Sequence, residues 1–78
     1  MTKGDELRSE IENSGVSIVF LADRMGCSRN RIYSIIGGAD CTATEIAMLS
    51  ELLHLTKDRR DYIFLTSNVN NIHEMASN

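Results

Sequence analysis

Glycine is the residue type that most constrains how this chain can fold, because it is the main interruption in a sequence that contains no proline. The five glycines are at positions 4, 15, 26, 37 and 38, and the segments between them have the length of short helices. Glycine readily adopts the left-handed backbone conformation that ends a helix. Several segments repeat apolar residues every three or four positions, and none alternates long enough to indicate a strand. The spacing therefore predicts an all-α protein.

Five short helices in a compact bundle are expected. The first is predicted at about residues 5–13, the second at 18–25, the third between Ser28 and Gly37, the fourth from Thr42 to His54, and the fifth at about 57–65. Ser17 and Ser28 are suitable N-caps, and Thr42 with Glu45 three residues later matches a capping box. Residues 1–66 are predicted to form one domain, and residues 67–78, with four asparagines, a flexible or weakly helical tail.

The charge distribution indicates an anionic partner although the chain as a whole is acidic. The formal net charge is −3 and the sequence pI is about 5.2, which by themselves argue against nucleic acid. Residues 24–31, however, contain three arginines and no acid. A segment of this kind predicts one locally positive face.

Several other functions are not indicated by the sequence. The two cysteines, Cys27 and Cys41, lack the close spacing of a metal site or a disulfide framework, so we expect free thiols and no metal or cofactor. No nucleophile elbow, phosphate loop or paired-carboxylate spacing is present, so an enzyme is not expected. No apolar run approaches the roughly 20 residues of a membrane span, and the polar N-terminus is unlike a signal peptide, so we expect a cytoplasmic protein.

The connection between the second and third predicted helices is short enough to define their geometry. Only Gly26, Cys27 and Ser28 separate them, which predicts the steep crossing of a helix-turn-helix. If Ile32, Ile35 and Ile36 of the third helix face inward, the opposite side carries groups that can contact a base edge or a phosphate. Asn30 and Ser34 lie almost opposite the isoleucines, Arg31 and Tyr33 lie on the two flanks, and Arg29 lies in the first turn.

From about residue 7 to residue 65 the sequence resembles the lambda-repressor-like, Cro/repressor type of helix-turn-helix domain of phage and bacterial regulators. The matching residues are Leu21, Ala22, Met25, Gly26, Ser28, Ile32, Ile35, Gly37 and Gly38. The resemblance implies five packed helices, a third helix that enters the major groove, and dimers that read two half-sites about one helical turn apart.

The resemblance and the helix pattern together predict the site residues. Base reading is expected from Arg29, Asn30, Ser34 and Tyr33. Contacts to the DNA backbone are expected from Ser17, Ser28, Arg31, Arg24, Gly38 and Thr42. Tyr62, Phe64 and Leu65, in the apolar segment that ends the fifth helix, are expected to fill the core in part and to offer a dimer interface in part.

The predicted function is a sequence-specific DNA-binding transcriptional regulator, and the resemblance suggests a phage or mobile-element repressor. It would bind a double-stranded operator, an inverted repeat, as a homodimer without a small-molecule ligand. The alternative is a helix-turn-helix fold that serves as a protein-protein interaction module, such as an antirepressor, without binding DNA. The acidic net charge, the outward-facing Val19 and Phe20, and Ile18 where many relatives have Gln favour this alternative.

Overall fold

Five α-helices account for the regular structure of residues 2–65, which are the residues that the computed structural model describes. They are α1 (Gly4–Ser14), α2 (Ile18–Met25), α3 (Arg29–Ile36), α4 (Ala43–Leu52) and α5 (Lys57–Phe64). No strand occurs among these residues, so the all-α prediction with five helices is confirmed. The predicted tail, residues 67–78, lies outside the described residues, and the domain boundary stays a prediction.

The helix ends follow the capping chemistry that the sequence predicted. Ser17 Oγ accepts a hydrogen bond from the Phe20 amide (3.0 Å), and Ser28 Oγ accepts one from the Arg31 amide (3.1 Å). Thr42 and Glu45 form the complete capping box. Gly15, with φ of 79°, ends α1 in the left-handed conformation. Helix α4 ends at Leu52, two residues before the predicted end at His54.

Gly4 has a different role from the predicted one. It does not separate two segments but lies in the first turn of α1, packed against the C-terminal end of α3. A Cβ at this position would be 1.8 Å from the carbonyl oxygen of Ile36. The preceding residues are also anchored, since the Lys3 amide donates to the Ile63 carbonyl (2.8 Å) and Thr2 is buried. Gly4 therefore permits α1 to approach the α3 backbone.

All five helices contribute apolar side chains to one core. Helix α3 packs against α1 and α2, while α4 packs against α2 and α5, and α5 also contacts α1. The buried apolar residues are Leu7, Ile11, Leu21, Ala22, Met25, Ile32, Ile35, Leu49, Leu53, Ile63 and Phe64. Ile36, which was also expected to face inward, is half-buried at the edge of this core, as are Ile18 and Ile46.

The three residues predicted at a dimer interface have different environments. Phe64 is buried in the core of its own chain, and Leu65 is half-buried against that core. Tyr62 is 43% exposed, but the Lys3 ammonium and the Arg59 guanidinium lie 5.1 and 5.5 Å from its ring centre. Phe64 is therefore part of the core of its own chain, and a dimer interface at this end of α5 would have to depend on Tyr62 and Leu65. Dimerisation stays a prediction.

Candidate nucleic-acid interface

The connection between α2 and α3 is a tight, hydrogen-bonded turn. Gly26 adopts the left-handed conformation, with φ of 69°, and its amide donates to the Asp23 carbonyl (3.2 Å). The Cys27 amide donates to the Ala22 carbonyl (3.0 Å), which completes the hydrogen-bond pattern of a Schellman motif. Ser28 then caps α3. This turn fixes where α3 begins relative to α2.

Helix α3 has one fully buried side and one polar, exposed side. Ile32 and Ile35 are completely buried, and this burial fixes the rotation of the helix. The four residues predicted to read bases are all exposed to solvent: Arg29, Asn30, Tyr33 and Ser34. Tyr33 is the largest of these side chains and is 57% exposed. Two turns of α3 therefore expose one guanidinium group, one amide group and two hydroxyl groups to solvent.

The predicted backbone contacts include the hydroxyl groups that cap three helices. Ser17, Ser28 and Thr42 each accept a hydrogen bond from an amide of the helix that they begin. Each hydroxyl group retains a proton that can be donated to an anion. The Gly38 amide, in contrast, donates to the Ile35 carbonyl (2.9 Å) and is used within the turn.

Arg31 makes ion-pair and hydrogen-bond contacts within the protein. Its Nε–H donates to Glu45 Oε2 (2.8 Å), and its Nη2 donates to Glu45 Oε1 (2.7 Å) and to the Asp40 carbonyl (2.9 Å). Glu45 Oε1 also accepts from the Thr42 amide (2.9 Å). The predicted contact between Arg31 and the DNA backbone therefore competes with an existing ion pair.

Arg24 lies in the groove between α2 and α4. Its guanidinium is 5.1 Å from the ring centre of Phe20, a distance typical of a cation–π contact. Together with Met48, Glu51 and Leu52 it lines a shallow cleft of about 190 Å³. Arg24 thus covers part of the outward-facing Phe20.

A larger cleft, of about 320 Å³, brings α1 and the start of α2 beside α3. Two predicted site residues, Ser17 and Tyr33, line it together with Arg8. The Arg8 side chain is 67% exposed, and its Nε lies 3.6 Å from Glu12 Oε2. Arg8 is an additional cation beside the polar side of α3. No local pattern indicates this role for Arg8, because its position depends on how α1 packs against α3.

The Arg31–Glu45 pair makes stability sensitive to acid. Hydrogen bonds from Arg31, assisted by the Thr42 amide, lower the pKa of Glu45 from 4.5 to about 2, although burial acts in the opposite direction. The pKa of Glu45 is lower in the folded state than in the unfolded state. The ion pair's contribution to the free energy of unfolding is therefore complete above about pH 4.5 and is lost as the pH falls towards 2. We expect Glu45→Gln to cost about 1–2 kcal/mol at pH 7 and progressively less below pH 4.5.

Urea unfolding of both proteins between pH 7 and pH 2.5 measures this difference. The comparison cancels the contribution of Asp61, whose pKa is also lowered, chiefly by its hydrogen bond with Arg60. A difference in stability that stays constant over the whole range would show that Glu45 does not titrate with a depressed pKa.

Residues 2–65 lack the features of a metal site or of a membrane-spanning helix. Within this range no group of three His, Cys, Asp or Glu side chains is arranged to hold a metal ion. None of the described helices has the length and apolar character needed to cross a membrane. Cys27 and Cys41 are both free and half-buried.

Comparisons of this chain with protein-family models, with curated proteins and with solved structures found no match. The resemblance to lambda-repressor-like domains therefore stays a prediction. A function has to be inferred from the residues on α3 and at the helix N-termini.

Proposed function

We propose that this protein is a sequence-specific DNA-binding transcriptional regulator in which α2 and α3 act as a helix-turn-helix and α3 enters the major groove. The observation that carries the proposal is the polar side of α3, where Arg29, Asn30, Tyr33 and Ser34 are exposed opposite a buried apolar side. An α-helix fits the major groove of B-DNA, in which each base pair presents a distinct pattern of donors and acceptors.

The chemistry of these side chains suits base recognition. A guanidinium such as that of Arg29 can donate two hydrogen bonds to guanine, and the amide of Asn30 can pair with adenine. The hydroxyl groups of Tyr33 and Ser34 can donate to, or accept from, a base or a backbone oxygen. All four lie on one short helix whose rotation is fixed by the core, so they can act together on neighbouring bases.

The surroundings of α3 supply groups for phosphate binding. The Ser17 hydroxyl group lies at the N-terminus of α2, where the orphan amides and the helix dipole favour anions. Thr42 begins α4, where the Glu45 carboxylate already accepts from the Thr42 amide, so its contribution is the hydroxyl group. Arg8, beside Tyr33 in the larger cleft, adds an exposed guanidinium, which would have to exchange its 3.6 Å contact with Glu12 for a phosphate.

Two acidic side chains of α1 form ion pairs with an arginine on α5, a helix that does not pack against α3. Glu6 and Glu10 on α1 both accept hydrogen bonds from Arg59 on α5, at 2.9 and 2.8 Å. Arg59 offsets one of these two negative charges, and the net charge of −3 is a sum over the whole chain that does not give the charge of the α3 surface.

The regulator would act as a homodimer on an inverted repeat, with half-sites about 10–10.5 base pairs apart. Binding at a promoter would exclude polymerase, which is the action of a repressor. A phage or mobile-element repressor is the specific form that we propose, acting in the cytoplasm of a bacterial cell or of an infected host.

One observation favours a second function, namely a protein-protein interaction module. Val19 and Phe20 are 58% and 38% exposed on α2, and adjacent exposed apolar side chains are typical of partner surfaces. An antirepressor that docks through this patch would not need DNA. The two functions differ in whether duplex DNA is bound.

Titration of a mixed-sequence DNA duplex at low salt and near physiological salt tests the proposal. A DNA-binding regulator binds at low salt and loses affinity steeply as salt rises, because phosphate contacts release counterions. An interaction module that does not touch DNA shows no binding at either salt concentration. That result would direct attention to Val19 and Phe20.

A further inference from the structure

We propose that Arg31 is a positioning residue of the DNA-binding surface rather than a phosphate contact. Together with Glu45 it sets the position of α3 relative to the N-terminus of α4. The inference rests on the proposed function, since it assigns roles within the same surface.

The Arg31 guanidinium connects three segments of the chain. It extends from α3, donates to Glu45 in the first turn of α4, and donates to the Asp40 carbonyl in the intervening loop. Glu45 in turn accepts from the Thr42 amide at the start of α4. Two side chains 14 positions apart therefore hold the recognition helix, the loop and the next helix in one arrangement.

This connection matters because the backbones of the two helices are not in direct contact. No Cα of α3 lies within 8 Å of a Cα of α4, whereas α2 packs closely against both. A long side chain is needed to span such a gap. The relative position of Arg29 on α3 and Thr42 at the start of α4 thus depends on a side-chain bridge as well as on the shared core.

The geometry of the pair is well defined. Two parallel hydrogen bonds join the planar guanidinium to the carboxylate, an arrangement that fixes orientation as well as distance. The side chains are only 33% and 17% exposed, so the pair is partly shielded from solvent. Lysine carries the same charge but cannot reproduce this fork.

The pairing also removes Arg31 from the charges that attract DNA. Its positive charge lies beside the Glu45 carboxylate at 2.7 Å, so the pair is neutral as a unit. A neutral pair neutralises no phosphate and releases no counterion. On α3, Arg29 is then the arginine expected to contribute to the salt dependence of binding.

The test is the slope of log K against log salt concentration for a mixed-sequence duplex. The double variant Arg31→Gln/Glu45→Gln keeps the charge of the pair at zero, and Arg29→Gln serves as the matched single-charge control. On a mixed-sequence duplex Arg29 has no cognate base and its charge is available to a phosphate, so we expect Arg29→Gln to reduce the slope by about 0.9 and the double variant to leave it unchanged. A double variant that reduces the slope as much as Arg29→Gln would overturn the proposal, because Arg31 would then contact a phosphate.

A second readout separates positioning from simple loss of charge. For an operator obtained by selection, we expect Arg31→Lys to reduce the ratio of operator to mixed-sequence affinity by about tenfold, the loss expected for a charge-assisted hydrogen-bond pair. Lysine retains the charge, so wild-type discrimination in this variant would contradict a positioning role.

Amide hydrogen exchange tests the positioning role without DNA. In the double variant the amides of Ala39 and Thr42 are expected to exchange faster, while those in α1 and α5 are unchanged. Unchanged exchange in the loop would overturn the inference. If the wild-type protein does not bind duplex DNA, the proposed function fails, and the exchange result still decides whether this pair holds the loop.

Discussion

Replacing Gly4 by alanine is expected to destabilise the fold by about 3 kcal/mol or more, the range of severe overpacking. The added Cβ would lie 1.8 Å from the Ile36 carbonyl oxygen and 2.7 Å from its carbon. Both atoms belong to backbone, so no side-chain rotation can relieve the overlap and α1 must move away from α3. A domain of this size has a total stability of about 3–10 kcal/mol, so the variant would be close to unfolding.

Gly37→Ala is the matched control for this substitution. Gly37 has a right-handed φ of −75°, and a Cβ there would meet its nearest atoms at the ordinary distance of 3.4 Å. We expect its stability to stay within about 1 kcal/mol of wild type, on the stabilising side, because alanine restricts the unfolded chain. Urea unfolding followed by circular dichroism measures both variants. Equal midpoints for the two would show that α1 does not approach α3 as described.

Replacing Arg29 by alanine is expected to weaken operator binding by about 1–3 kcal/mol, which is the value of one bidentate contact with a base. Arg29 is exposed in the first turn of α3 and has the shape and charge to pair with guanine. Because its side chain is solvent-exposed, the substitution should leave folding stability nearly unchanged. The affinities for the selected operator and for a scrambled duplex, measured at one salt concentration, separate the specific from the non-specific part of the binding free energy.

Arg60→Ala provides the control for loss of one positive charge. Arg60 lies on α5, where its Nε is 3.1 Å from Asp61 Oδ1, and α5 does not pack against α3. We expect this variant to keep the preference for the operator. Equal loss of preference in both variants would mean that Arg29 acts through net charge and does not read a base.

Local chemistry explains why most of the helix ends could be predicted. Ser17, Ser28 and the Thr42–Glu45 capping box act on residues at most three positions away, so the sequence contains the whole interaction. The exposure of Asn30 was predictable for a similar reason, because the isoleucines of the same helix define its buried side.

The features that were missed depend on contacts between distant parts of the chain. Gly4 resembles an ordinary helix boundary until the backbone of α3 is placed beside it. Glu45 was recognised as a capping residue, but its ion pair with Arg31 spans 14 positions and no local pattern indicates it. The burial of Phe64 depends similarly on where α5 meets the core, since neighbouring residues at the C-terminal end of this otherwise charged helix are also apolar.

The most direct test of the central claim, that α3 reads DNA sequence, is selection from a randomised duplex pool by the wild-type protein and by Asn30→Ala. The account predicts that the wild type enriches an inverted repeat with half-sites about 10–10.5 base pairs apart. The Asn30→Ala variant is expected to enrich the same repeat with its preference relaxed at one position in each half-site. Enrichment of an identical motif by both proteins, or of no motif by the wild type, would contradict the claim.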